Sequence, residues 1–129
     1  MPKIFLAEDD IDDQELLAEA FHGIDPAIEL QSFSTGKKFM SYLDSLPDAD
    51  IPHIIILDYN IPEINGAEIL KHLEENKRYR SIVKLVWSTS NSSLYEDSCL
   101  ALGATAYLVK PSNISGLNAI ARKILTYLN

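Results

Sequence analysis

The run Ile54-Ile55-Ile56-Leu57, entered from His53 and closed by Asp58, constrains this chain more than any other stretch. Four consecutive aliphatic residues without polar alternation fit a strand covered on both faces, as in the middle of a parallel sheet. A strand buried that way needs helices packed on both sides of its sheet. The run ends on a carboxylate, and Tyr59-Asn60-Ile61-Pro62 then leads through a loop to Gly66. In open α/β sheets, ligands bind just beyond the carboxyl ends of the strands. An ionised carboxylate is costly to bury without partners, so packing explains Asp58 poorly and chemistry explains it better.

The rest of the chain fits such a sheet. Ile4-Phe5-Leu6-Ala7 predicts a first strand, closing on Glu8-Asp9-Asp10. A helix over residues 12–22 follows, with Leu16, Leu17, Ala20 and Phe21 on one face, Asp12 or Asp13 as its cap and Gly23 as its stop. Residues 27–33 alternate enough for a second strand near the sheet edge, and Ser34-Thr35-Gly36 opens a helix carrying Phe39, Met40, Leu43 and Leu46. Residues 47–52 form a loop longer than the connection needs. A third helix over 66–76 turns Ile69, Leu70 and Leu73 inward, and Lys77-Arg78-Tyr79-Arg80 is expected as a solvated basic turn. Residues 82–87 predict the fourth strand, 94–102 a short helix stopped by Gly103, and 106–109 a fifth strand ended by Lys110-Pro111. Ile114, Leu117, Ala121, Ile124, Leu125 and Leu128 then recur at helical spacing. Five strands alternating with five helices predict right-handed βαβ units in one doubly wound parallel sheet.

A single domain over residues 1–129 is expected, with no linker, repeat or second domain. Eleven basic against nineteen acidic side chains give a net charge of −8, a poor match to nucleic acid or an anionic membrane. The single Cys99 excludes an intrachain disulfide and a cysteine metal cluster, which suits a reducing compartment. It reads as a small core residue on the inner face of its helix, beside Tyr95, Ser98 and Leu102. His22, His53 and His72 lie on separate elements without ligand spacing. No apolar run approaches the roughly 20 residues that span a bilayer, and the N-terminus runs straight into a strand. A cytoplasmic location is expected.

Four strands end on polar residues: Glu8-Asp9 after the first, Asp58 after the third, Ser88 after the fourth and Lys110 after the fifth. In a parallel sheet these ends share one edge, so three carboxylates, a hydroxyl and an ammonium converge. Crowded carboxylates repel one another, and a divalent cation relieves the repulsion. An all-oxygen set suits Mg²⁺. Asp58 is then placed to attack a phosphoryl donor, Lys110 to offset the growing charge, and Ser88 to donate a hydrogen bond. Asp10, Asp12 and Asp13 read as acids of a helix N-terminus, and Trp87 as packing.

The segments Leu6-Ala7-Glu8-Asp9-Asp10, Ile56-Leu57-Asp58-Tyr59-Asn60-Ile61-Pro62 with Gly66, Trp87-Ser88, and Gly103-Ala104 through Tyr107-Leu108-Val109-Lys110-Pro111 occur in a diagnostic order. In them the chain resembles a response-regulator receiver domain of two-component signalling over essentially its full length. The resemblance implies a flavodoxin-like α/β fold with strand order 2-1-3-4-5 and no output domain. It implies that Asp58 is phosphorylated by a partner histidine kinase or phosphotransfer protein. It implies Asp9 as a direct Mg²⁺ ligand, Glu8 acting through water, and Asp58 and the Asn60 backbone carbonyl completing the set. Ser88 corresponds to the switch hydroxyl, Tyr107 to the switch aromatic, and Lys110 to the lysine that contacts the phosphoryl group, with a cis bond before Pro111.

A module of this kind is no metabolic enzyme; it catalyses only its own phosphorylation and dephosphorylation. Phosphorylation would alter the face of the fourth helix, fifth strand and fifth helix, read by a downstream protein, and the same face would also serve a homodimer. Glu8 stands where Asp is more frequent. Thr89 is bulkier than the usual Ala and is expected to restrict access to Asp58. The loop over 47–52 resembles that of single-domain regulators found beside phytochrome-type sensor kinases. Three rival readings share parts of this pattern. An aspartyl-phosphate phosphatase would want a general acid two positions after Asp58, where Asn60 cannot act. A flavodoxin-like cofactor carrier would need a phosphate-cradling first loop, where Glu8-Asp9-Asp10 repel phosphate. A docking scaffold that works unphosphorylated is disfavoured by the intact acid set.

Overall fold

A computed structural model of the protein describes residues 2–128. Strands β1 (Lys3–Ala7), β2 (Glu29–Phe33), β3 (Ile54–Asp58), β4 (Val83–Ser88) and β5 (Ala106–Val109) form one parallel sheet in the order β2-β1-β3-β4-β5. Helices α1 (Ile11–Ile24), α2 (Gly36–Ser45), α3 (Gly66–Glu75), α4 (Ser93–Ala101) and α5 (Ile114–Leu125) alternate with the strands. This is the doubly wound architecture expected from the sequence. Central β3 explains its own composition: Ile55 and Leu57 face a core shared with α2 and α3, while Ile54 and Ile56 face one shared with α1 and α5. All four are fully buried. Cys99 is buried from α4 as expected, although its neighbours Tyr95 and Ser98 are exposed. Among the described residues no helix is long and apolar enough to cross a membrane.

Several local expectations are corrected. Helix α1 is capped by Asp10, not by Asp12 or Asp13; the Asp10 carboxylate accepts from the Asp13 amide at 3.2 Å. Gly23 does not stop the helix, which ends before Asp25-Pro26, because the residue preceding a proline is pushed out of the helical region. Strand β2 starts only at Glu29, since the Asp25 carboxylate first closes a turn by accepting from the Ala27 amide at 2.9 Å. Leu16 and Ile114, expected to face inward, are exposed. Strand β4 runs one residue further than expected and so includes Ser88. Gly103, with φ of 101°, ends α4 as anticipated.

The basic turn is not merely solvated. Lys77–Tyr79 form a 3₁₀ turn in which Tyr79 is fully buried and donates its hydroxyl to Asp44 at 2.6 Å. Arg78 pairs with Asp48 at 3.1 Å and donates to the Leu46 carbonyl, so this turn ties down the loop over 47–52. Burial, with help from Asp44, pushes the Tyr79 phenol up to about 12. The unfolded phenol ionises near 10, so the stability this raised value contributes is complete below that pH and is lost as pH climbs toward about 12. Tyr79→Phe is expected to lower stability by about 1 kcal/mol near neutral pH. Its deficit relative to wild type should shrink above pH about 10, as measured by urea unfolding at a series of pH values.

Candidate functional site

The carboxyl ends of β1, β3, β4 and β5 lie side by side and present the polar residues picked out by the sequence. Asp58 is the last residue of β3, only 8% exposed. One carboxylate oxygen from each of Glu8, Asp9 and Asp58 lies within 4.8 Å of the others. Lys110, following β5, places its Nζ 2.6 Å from Glu8 Oε1, 3.1 Å from Asp13 Oδ2 and 3.5 Å from Asp58 Oδ2. Its ammonium also sits 5.0 Å from the centroid of the Trp87 ring, so Trp87 is more than packing. Glu8, Asp9, Asp58 and Lys110 therefore converge as expected.

The loop after β3 is shaped around Asp58. The Asn60 amide donates to Asp58 Oδ1 at 3.2 Å. A Cβ on Gly66 would lie 3.0 to 3.3 Å from backbone atoms of Asp58 and Tyr59, which explains the glycine where α3 begins against the strand end. Within this loop Glu63 holds a positive φ of 71°. A glutamate in the left-handed region is strained, whereas Asn tolerates it. Glu63→Asn is expected to raise stability by about 0.5 to 1 kcal/mol, a few degrees in thermal midpoint.

The electrostatics favour function over stability. Glu8 is fully buried, with Oε2 accepting from the Asp10 amide at 3.1 Å. Burial pushes its carboxyl up, and the Asp58 charge adds to that, against the lowering from Lys110 and the Asp10 amide. Burial alone would lower the Lys110 ammonium, but Glu8, Asp13 and Asp58 outweigh it and hold the ammonium above its ordinary range. Such buried pairs add little net stability, because desolvation offsets the attraction. What they do provide is a crowded set of hard oxygen donors. Glu8, Asp9 and Asp58 could hold a divalent cation, and they are the one such group among the described residues.

Ser88 is buried at the end of β4, and its carbonyl accepts from the Lys110 amide at 2.7 Å. Its hydroxyl accepts from the Ser90 amide at 3.1 Å, while the hydroxyl of half-buried Tyr107 donates to the Ser90 carbonyl at 2.8 Å. Both residues expected to switch thus meet at Ser90, which sequence reasoning did not single out. Tyr59 stacks on Tyr95 of α4, with ring centroids 4.7 Å apart and planes 12° from parallel. Two further expectations change. Asp13, read as a helix-end acid, reaches back to Lys110 from the far end of the chain, a contact that no local pattern in the sequence signals. The bond between Lys110 and Pro111 is trans, as is every peptide bond among the described residues.

Comparison with known proteins agrees with this fold. The family model described as "Response regulator receiver domain" matches residues 4–122. The two-component response regulator ORR5 of Oryza sativa subsp. japonica is 29% identical over 117 residues, covering 89% of this chain and 85% of the relative. The solved structure of the phosphorylated cyanobacterial phytochrome response regulator RcpA is similar with a TM-score of 0.89 at 29% identity, covering 98% of this chain and 93% of that one. A response regulator solved in its Mn(2+)-bound form is similar with a TM-score of 0.86 at 26% identity, covering 98% and 93% of the two chains.

Proposed function

This chain belongs to the response regulator receiver domain family, and on that premise we propose that it accepts a phosphoryl group on Asp58 from a histidine kinase or phosphotransfer protein. The observation that carries this reading is the convergence of three carboxylates within 4.8 Å with Lys110 3.5 Å from Asp58. A carboxylate oxygen of Asp58 attacks phosphorus, the donor's P–N bond breaks, and the imidazole leaves. Glu8, Asp9, Asp58 and the Asn60 backbone carbonyl would hold Mg²⁺, which when bound neutralises charge on the transferring oxygens. Lys110, whose Nζ lies 3.5 Å from Asp58 Oδ2, would offset charge on the same oxygens.

Once phosphorylated, Asp58 would draw the Ser88 hydroxyl away from the Ser90 amide, loosening the segment that Tyr107 also holds. The signal would leave through α4, β5 and α5, where Leu94, Tyr95, Leu100 and Val109 are exposed. That face would meet a downstream protein or a second copy of the chain. In this reading the protein is a cytoplasmic signalling domain rather than a metabolic enzyme, and residues 1–129 act as one receiver unit.

Incubation with Mg²⁺ and a small acyl phosphate is expected to add one phosphoryl group by intact mass, and a chelator to prevent it. Steady release of phosphate from a phosphomonoester, with no adduct on the protein, would point instead to phosphatase chemistry.

A further inference from the structure

Phosphoryl acceptance by Asp58 leaves the Asp13 carboxylate without a role. It lies outside the three carboxylates that converge for a cation, yet its Oδ2 accepts from Lys110 Nζ at 3.1 Å. A lysine ammonium carries three N–H donors and no acceptor. Glu8 Oε1 takes one at 2.6 Å, Asp13 takes a second, and the third is left for Asp58 Oδ2 at 3.5 Å. Glu8 is buried and tied by its other oxygen to the Asp10 amide. Asp13 is placed by the helix: the Asp10 cap that starts α1 accepts from the backbone amide of Asp13 itself.

Without Asp13, Glu8 would be the sole hydrogen-bonded anchor of the ammonium, which would gain freedom to swing on its four-carbon stem. It has space to do so, in a cleft of about 190 Å³ lined by Asp13, Leu16, Lys110, Pro111 and Ile114 among others. Two anchors remove that freedom. We propose that Asp13 is a positioning residue for phosphoryl transfer, fixing Lys110 so that its remaining N–H faces Asp58. This inference rests on Asp58 being the phosphoryl acceptor.

An opposing effect has to be weighed. The Asp13 charge also weakens the pull of Lys110 on an incoming phosphoryl group. The Asp13 side chain is 32% exposed, so solvent and salt screen that charge, whereas the restraint on Lys110 acts at contact distance. Orientation therefore dominates, and losing Asp13 is a net loss.

The chain has a single tryptophan, Trp87, and because the Lys110 ammonium lies against its ring, its emission reports where that ammonium sits. Asp13→Ala should slow phosphoryl uptake from a small acyl phosphate with Mg²⁺ by about tenfold. It should weaken beryllofluoride saturation in similar proportion and shift Trp87 emission before any donor is added. Asp13→Asn keeps an acceptor oxygen at the same reach and should recover most of both effects, leaving a deficit of about threefold or less. Circular dichroism checks that α1 is intact in each variant. Unchanged uptake and emission in Asp13→Ala, even with a lower thermal midpoint, would mean a purely structural role and overturn the inference. Faster uptake would also overturn it, because charge would then outweigh orientation. If wild type itself takes up neither phosphoryl group nor beryllofluoride, the assignment of Asp58 falls first and this inference falls with it.

Discussion

Asp58→Asn should take up no phosphoryl group at any donor concentration, a loss of more than about a thousandfold in rate. The amide is neutral and its oxygen is a poor nucleophile, so the step that forms the new P–O bond has no attacking group. The change is nearly isosteric, and the amide oxygen can still accept from Asn60, whose backbone N–H lies 3.2 Å from Oδ1. The fold should therefore survive, and loss of uptake can be read as chemistry. Neither remaining carboxylate is equipped to substitute. Glu8 is fully buried and held by Lys110 and the Asp10 amide, and Asp9 is exposed without a lysine contact. Removing one of three converging carboxylates should also weaken Mg²⁺ binding, read from Trp87 emission or calorimetry. Intact-mass measurement settles the first point: a phosphoryl adduct on the Asn variant would remove Asp58 from the mechanism.

What the sequence makes legible is the part of the design that repeats along the chain. Buried β3 is visible because four aliphatic residues in a row suit only a strand with cover on both faces. The site is visible because parallel strands bring their ends to one edge, so polar residues following apolar runs can be assigned to a common crevice. What escapes depends on contacts between segments far apart in the chain. That Arg78 and Tyr79 are fastened to Asp48 and Asp44 follows from how α2 and α3 pack, not from any local pattern. The role of Asp13 turns on a shift of the helix cap to Asp10, a difference too fine for periodicity to resolve. The strained φ of Glu63 is invisible because glutamate gives no signal for the left-handed region. Ser90 meets Ser88 and Tyr107 through its backbone groups, which every residue type carries.

Gly36→Ala is expected to be the most damaging single-methyl change, although from the sequence Gly36 is an ordinary first residue of a helix. Alanine is the better helix former by about 1 kcal/mol, so local propensity alone would favour the substitution. Packing reverses the sign. A Cβ at this position would overlap the carbonyl oxygen of Ile64 and lie 2.8 Å from its carbonyl carbon and 2.9 Å from its Cβ. Backbone atoms cannot rotate away as a flexible side chain would. The two segments are also held together by the Gly36 amide, which donates to the Pro62 carbonyl at 3.0 Å. Relief requires either α2 or the loop after Asp58 to move. Movement of α2 would disturb Phe39, Met40 and Leu43 in the core, and movement of the loop would disturb buried Ile61. The net cost should be about 2 to 4 kcal/mol, or roughly ten degrees in thermal midpoint for a chain of this size. The same displacement would reach Asn60 and Asp58, so Mg²⁺ affinity should fall together with stability. A midpoint equal to that of wild type would show that α2 can slide without penalty, and that the loop carrying the site is not braced against it.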